Sequence, residues 1–91
     1  MKIDLYIHIV ERPDNPNYSS KFKQIYGFTE HDCDGSINSF TQKDFRVVYT
    51  KHVKVQDGNA VNEVARQVND ILEFSNRKEI LDLKSLDELL R

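Results

Sequence analysis

The sequence predicts an α+β domain in which helices cover an antiparallel sheet. Residues 2–10 alternate between apolar and polar side chains, as in a strand with one buried face. Residues 45–55 repeat this alternation over a longer strand, whereas residues 59–74 carry apolar side chains at the spacing of one helical stripe. Because the strands and the helix each present one apolar face, we expect these faces to pack together.

Length, charge and cysteine content restrict the functions open to the chain. Its 91 residues suit one domain over residues 1–91, and the formal net charge of −2 disfavours both a strongly basic nucleic-acid binder and an acidic DNA mimic. The single cysteine, Cys33, cannot form an internal disulfide, which fits a reducing compartment. The chain shows no signal-peptide pattern and no apolar run of membrane-spanning length. We therefore expect a cytoplasmic protein with no membrane partner.

The N-terminal third is predicted to contain a strand, a loop and a short helix. The inward side chains of the first strand are Ile3, Leu5, Ile7 and Ile9. Residues 11–17 contain both prolines and several turn-forming residues, so we expect an exposed loop. Residues 18–26 predict a short helix ending at Gly27, with a strand running into Phe28 as the alternative.

The middle of the chain is predicted to contain two strands. Residues 28–35 are polar and end in a turn, residues 36–41 resemble a short strand, and residues 42–44 form a tight turn. The long strand over 45–55 follows, and Lys51 interrupts its apolar phase, which predicts either a bulge there or a strand that runs past the end of the helix layer. The inward side chains of this strand are Phe45, Val47, Tyr49, Val53 and Val55.

The C-terminal part is predicted as helix, strand and helix. In the helix over 59–74, Asn59 is the expected N-cap. Its apolar stripe comprises Val61, Val64, Ala65, Val68, Ile71 and Leu72. Residues 79–83 resemble a short strand, and Ser85 with Glu88 matches a capping box before a last helix.

The predicted order of elements, β-α-β-β-α-β and then a helix, is that of a ferredoxin-like sandwich with an extra C-terminal helix. In this fold the first and third strands are adjacent and parallel, and both main helices lie on one face of the sheet. The alternative is an antiparallel meander in which residues 22–31 form a strand and one long helix crosses the sheet. Either fold hosts many functions, so the fold does not specify an activity.

The strand side chains that point away from the helices form one candidate site. They comprise Lys2, Tyr6, His8, Arg46, His52 and Lys54. A basic face with an aromatic ring is how ferredoxin-like RNA-binding domains hold single strands. However, residues 45–53 lack the glycine of their third-strand motif, and solvated antiparallel faces are commonly polar. Nucleic-acid binding is therefore the alternative function rather than the favoured one.

A second candidate site is the run His31, Asp32, Cys33 and Asp34, which contains metal-ligand residue types. A structural zinc site needs a second pair of ligands, and a nucleophilic cysteine needs a base held across a cleft. Neither requirement is visible, and the chain has no phosphate-binding loop or other catalytic motif. We therefore predict no metal, no cofactor and no enzymatic activity.

The third candidate is the apolar face of the last helix, formed by Leu86, Leu89 and Leu90. A helix this short is not stable alone and must dock on its own domain, on a second copy or on a partner. The leading function is therefore a small protein-interaction module, such as a regulator or inhibitor, that binds a partner protein. A homodimer is the related possibility.

Overall fold

The computed structural model describes residues 2–13 and 20–91. Its elements in chain order are strands β1 (Ile3–Glu11) and β2 (Phe22–Gly27), helix α1 (Asp34–Thr41), strand β3 (Arg46–Val55) and helices α2 (Gly58–Lys78) and α3 (Leu83–Leu89). This mixture of sheet and helices confirms the predicted α+β class. Of the loop expected over 11–17, Glu11 belongs to β1, and residues 14–17 lie outside the described part of the chain.

The three strands form one antiparallel sheet in the order β2-β1-β3. The ferredoxin-like prediction is therefore wrong, because residues 45–55 lie beside β1 but run antiparallel to it. Since β1 has a neighbour on each side, no place beside it remains for another strand. The meander order is also wrong, because β1 lies between the two later strands. Its strand near residue 22 and its long helix across the sheet are nevertheless present.

The main core lies between one face of the sheet and α2. Leu5, Ile7 and Ile9 of β1 have no exposed surface, which confirms the inward phase predicted for residues 2–10. The buried apolar side chains of α2 are Val61, Ala65, Val68 and Leu72, and all of these except Ala65 belong to the same core cluster as the three β1 residues. Burial of each larger apolar side chain contributes about 1.5–3 kcal/mol, so this contact holds α2 against the sheet.

Helix α2 begins at a different cap from the one predicted and extends further. Asp57, rather than Asn59, is the N-cap, and its side chain accepts a 2.9 Å hydrogen bond from the backbone N–H of Ala60. At the C-terminal end Glu79 adopts a left-handed conformation with φ of 55°, and Arg77 and Lys78 occupy the last turn. Cations in this position interact favourably with the helix dipole.

The helix predicted over 18–26 is wrong, because residues 22–27 form β2; residues 18 and 19 lie outside the described residues. Alternate side chains of a strand share a face, so Phe22 and Gln24 both reach α2. Phe22 is buried, and Gln24 Nε2 donates to the backbone oxygen of Ala65 at 3.3 Å and to Asn69 Oδ1 at 3.1 Å. Pairing with β1 and packing on α2 therefore outweigh the local helical pattern.

The strand predicted over 36–41 is also wrong, because these residues belong to α1. Its ring contact explains the difference, since Phe40 lies 4.9 Å from Phe45, measured between ring centroids. The backbone N–H of Phe45 also donates to the Phe40 oxygen at 3.0 Å. The tight turn predicted over 42–44 is present, with Asp44 at a φ of 65°. These contacts therefore hold the C-terminal end of the short helix close to the start of β3.

Strand β3 is confirmed, but its bulge lies at Val48 rather than at Lys51. Tyr49 pairs with Ile9 and Val47 with Val10, which leaves Val48 without an opposite residue. Val48 consequently packs against the main core, whereas Val47 is 40% exposed. Phe45, predicted to face the main core, is buried outside it.

The strand predicted over 79–83 is wrong, because residues 79–82 form the turn between α2 and α3, and α3 begins at Leu83. Asp82 caps this helix by accepting from the backbone N–H of Ser85 at 3.1 Å and from its hydroxyl at 2.9 Å. The cap therefore lies one turn before the predicted capping box. The buried Ser75 hydroxyl accepts a 3.1 Å hydrogen bond from the Asp82 N–H, which fixes the turn between α2 and α3.

Candidate interaction surfaces

The outer face of the sheet, meaning the face opposite α2, is partly covered by α1 and the turn before it. Val10, Cys33 and Phe45 are buried but do not belong to the main core. Lys23, on the outer phase of β2, places its Nζ 5.9 Å from the centre of the Phe40 ring of α1. The prediction that the helices over 18–26 and 59–74 lie on one face is wrong, because residues 22–26 belong to β2. Since α1 lies on the outer face, only part of that face is open among the described residues.

Tyr6 and His52 form the centre of the open part of the outer face. Their rings stack with centroids 4.3 Å apart and an interplanar angle of 2°. His52 Nε2 lies 2.9 Å from Asp4 Oδ1, and Lys54 Nζ lies 3.8 Å from the same oxygen. Burial, Glu30 and Asp4, in that order, raise the pKa of Tyr6. Acidic groups therefore offset the positive charge of this region.

His8 lies further along the outer face, between its strand partners Ile25 of β2 and Thr50 of β3. Its Nδ1 is 3.1 Å from Thr50 Oγ1, and its Nε2 is buried without a hydrogen-bond partner among the described residues. Burial lowers the pKa of His8, and the charge of Asp34 opposes this effect. The contact with Thr50 and the buried Nε2 therefore place His8 partly within the packed part of the outer face, and its role in binding stays a prediction.

Arg46 is at the opposite end of β3 from Lys54 and pairs with an acid of β1. Its Nη2 lies 2.8 Å from Glu11 Oε2, and Lys21 Nζ lies 3.6 Å from Glu11 Oε1. Lys2 is exposed just before β1. The structure thus brings Tyr6, His52 and Lys54 together but not Arg46. The roles of Asp4 and Glu11 were missed because they depend on the pairing register. Nucleic-acid binding by this face stays a prediction.

The run His31, Asp32, Cys33 and Asp34 forms the turn that leads into α1, and local hydrogen bonds hold this turn. Asp32 Oδ2 accepts from the N–H groups of Phe28 and Thr29 at 2.7 and 2.9 Å, and Oδ1 accepts from the Thr29 hydroxyl at 2.8 Å. The hydroxyl bond, followed by the backbone bonds, lowers the pKa of Asp32. Cys33 is only 2% exposed, and burial, with Asp32 and Asp34, raises the pKa of its thiol. His31 Nδ1 lies 3.1 Å from Asp34 Oδ2 at the surface. Among residues 2–13 and 20–91, no cluster of ligands could hold a metal ion.

The C-terminal leucines dock on their own domain. Leu86 has no exposed surface, Leu90 is 3% exposed, and Leu89 packs at the edge of the main core. Tyr49 donates a 2.8 Å hydrogen bond from its hydroxyl to Asp87, which joins α3 to β3. Binding of a partner through these leucines stays a prediction, although in this fold their surface is largely used internally.

The two outer edges of the sheet differ in how they are protected. On β2, the side-chain amide of Asn76 pairs with the main chain of Phe22 as a neighbouring strand does: Oδ1 accepts from the Phe22 N–H at 2.6 Å, and Nδ2 donates to the Phe22 oxygen at 3.3 Å. The other end is covered by Asp32, which accepts from the Phe28 N–H. Among the residues that the structure describes, only a short stretch of this edge around Gln24 and Tyr26 stays open.

Strand β3 presents a longer open edge, and the pairing register shows which of its groups face outward. The Arg12 N–H donates to the Lys21 oxygen at 2.7 Å, so even-numbered residues of β1 bond to β2 and odd-numbered ones bond to β3. The β3 residues that lie opposite odd-numbered residues of β1, such as Lys51 and Val53, therefore bond to β1. The main-chain groups of the intervening residues therefore point away from the sheet, at Thr50, His52 and Lys54.

Among the described residues, no strand and no side chain bonds to these outward groups of β3. The same part of the chain contains no helix with both the length and the apolar character needed to cross a membrane. Comparison of the sequence and the structure with family models, curated proteins and solved structures finds no match.

Proposed function

We propose that the protein is a protein-interaction module that binds an extended segment of a partner along the open edge of β3. The observation that supports this function is the row of outward N–H and C=O groups at Thr50, His52 and Lys54. An extended chain placed there gains main-chain hydrogen bonds and becomes a fourth strand, which is a recurrent mode of peptide recognition.

The contrast between the two edges supports this choice of strand. Asn76 and Asp32 occupy main-chain groups at both ends of the β2 edge, which is how proteins prevent unwanted strand pairing. Among the described residues, no side chain bonds to the outward main-chain groups in the middle of β3. This strand is also the longer of the two, with 10 residues against 6 in β2. A partner strand therefore meets fewer obstacles on β3.

A proline substitution on β3 tests the proposal directly. Proline removes the N–H, and it is tolerated on an edge strand where that N–H faces outward. Thr50→Ala is the matched control, because both variants lose the contact of Thr50 with His8, whereas only Thr50→Pro loses the outward donor. Random peptides displayed on phage and selected on the unmodified protein should bind Thr50→Ala and fail to bind Thr50→Pro. Equal binding to both variants would remove β3 as the site.

Amide hydrogen exchange followed by NMR gives a second, residue-level test. In the free protein the amides of Lys51 and Val53, which bond to β1, should be protected, whereas those of Thr50, His52 and Lys54 should exchange rapidly. A bound peptide should protect the second set and leave the first nearly unchanged. Protection elsewhere, without this alternation, would mean that binding does not add a strand to β3.

A further inference from the structure

Given the edge-binding function proposed above, we propose that the partner segment is acidic and is not a second copy of this chain. The charges of β3 have one sign: the strand contains Arg46, Lys51 and Lys54 and no aspartate or glutamate. An added strand places its side chains directly opposite these residues, at the short separations at which opposite charges stabilise a cross-strand pair.

Two lysines, one on each side of the sheet, are the cations best placed to meet such a strand. Lys54 is on the outer face, where its only ion pair among the described residues is the 3.8 Å contact with Asp4; its side chain is 63% exposed. Asp4 is also 2.9 Å from His52 Nε2, so the same carboxylate contacts both His52 and Lys54. The positive charge of Lys54 is therefore incompletely compensated on the side away from β1.

Lys51 points to the opposite side of the sheet, where it pairs with Ile7 and is half-buried. No described carboxylate forms an ion pair with it. Asp87, the acid of α3 that approaches this side of β3, accepts the hydrogen bond of the Tyr49 hydroxyl. Acidic side chains on either side of an added strand consequently find a cation on β3.

The same charges argue against pairing between two copies of β3. If two copies of β3 paired antiparallel about His52, then His52 would lie opposite the His52 of the second copy. The lysines of both strands would then lie close together and repel each other. Lysines on a strand edge are a common means of preventing such self-pairing. Pairing of this edge with a second β3 is therefore unfavourable, whereas pairing with an acidic segment is favourable.

Three synthetic peptides test the charge preference with the full-length protein. Each is about ten residues long, the length of a strand, and alternates valine and threonine with three variable positions occupied by glutamate, glutamine or lysine. In fluorescence polarisation at low salt, the glutamate peptide should bind about tenfold more tightly than the glutamine peptide. Added salt should reduce this difference, because exposed charges are screened, and the lysine peptide should not bind.

Variants of the protein test whether the preference for the glutamate peptide depends on Lys51 and Lys54. The double substitution Lys51→Gln with Lys54→Gln should remove the preference for glutamate but keep the binding of the glutamine peptide. The matched control, Lys23→Gln with Lys78→Gln, changes two exposed lysines outside β3 and should keep the preference.

The outcomes separate this proposal from the function on which it rests. Equal binding of the glutamate and glutamine peptides, abolished by Thr50→Pro, would overturn the acidic partner and leave edge binding intact. Failure of every peptide, or binding unaffected by Thr50→Pro, would overturn edge binding itself. Light scattering that shows a dimer disrupted by Thr50→Pro would assign the edge to a second copy. Binding of oligothymidylate that depends on Lys51 and Lys54 but not on Thr50→Pro would assign these lysines to nucleic acid.

Discussion

Asn76→Ala should destabilise the protein by removing the amide that covers the end of β2. Asn76 makes two hydrogen bonds with the main chain of Phe22, at 2.6 and 3.3 Å, in a partly buried position. Each such bond contributes about 0.5–1.5 kcal/mol net, so their loss costs about 1–3 kcal/mol. Alanine is a better helix former than asparagine by about half a kcal/mol, which hides part of the loss.

A matched control corrects for this difference in helix propensity. Asn62 is an exposed residue of the same helix, so Asn62→Ala carries the same gain in propensity without the lost bonds. In a domain of this size, 1 kcal/mol shifts the melting temperature by about 4–8 °C. Asn76→Ala should therefore melt about 5–20 °C below Asn62→Ala when unfolding is followed by circular dichroism. Midpoints within about 2 °C of each other would refute the role of Asn76 as a substitute for a neighbouring strand.

Three further predictions concern the core, a close approach and a titrating group. Val68 has no exposed surface, so Val68→Asp buries a carboxylate in the main core and should abolish the cooperative melting transition; a normal melting curve would contradict the packing of α2. Gly27→Ala should lower the midpoint of urea denaturation, because the added Cβ would lie 2.6 Å from a Cβ in the turn before α1, whereas Gly35→Ala meets nothing within 4 Å and should leave the midpoint unchanged or higher. Burial, followed by the hydrogen bond and charge of Asp87, raises the pKa of Tyr49 from 10.0 to about 12. The unfolded chain therefore loses this proton first, so the contribution to stability is complete below pH 10 and is lost as the pH rises towards 12. Tyr49→Phe should show a weaker pH dependence of the unfolding free energy over that range, and an unchanged dependence would contradict this role of the hydroxyl.

The long periodic segments could be predicted from the sequence because each carries its own signal. The alternation around Leu5, Ile7 and Ile9 and the stripe containing Val68 and Leu72 specify both the type of element and its buried face. These features depend only on side-chain spacing along one element, which distant contacts do not alter.

The short segments could not be predicted in the same way. The helix predicted over 18–26 is wrong in its described part, the strands predicted over 36–41 and 79–83 are wrong, and each of these segments contains too few residues for a pattern to repeat. Their conformations depend on long-range contacts, such as the bonds of Asn76 with Phe22 and the packing of Phe40 on Phe45. The ferredoxin-like order followed from these three local errors.

The candidate surfaces show the same division. Alternation placed Tyr6, His52 and Lys54 on one face, because phase within a strand is a local property. The neutralising contacts of Asp4 depend on the register between β1 and β3, and the open edge of β3 depends on the order of all three strands.

The sequence by itself therefore determined the α+β class, the phases of β1 and α2 and the positive charge along residues 46–54. Only the tertiary structure decided that β1 is the central strand, that α1 covers part of the outer face and that the outward main-chain groups of Thr50, His52 and Lys54 stay unpaired among the described residues. The physical reason is that periodicity records which side of an element is buried, whereas strand order and register arise from contacts between segments far apart in the chain.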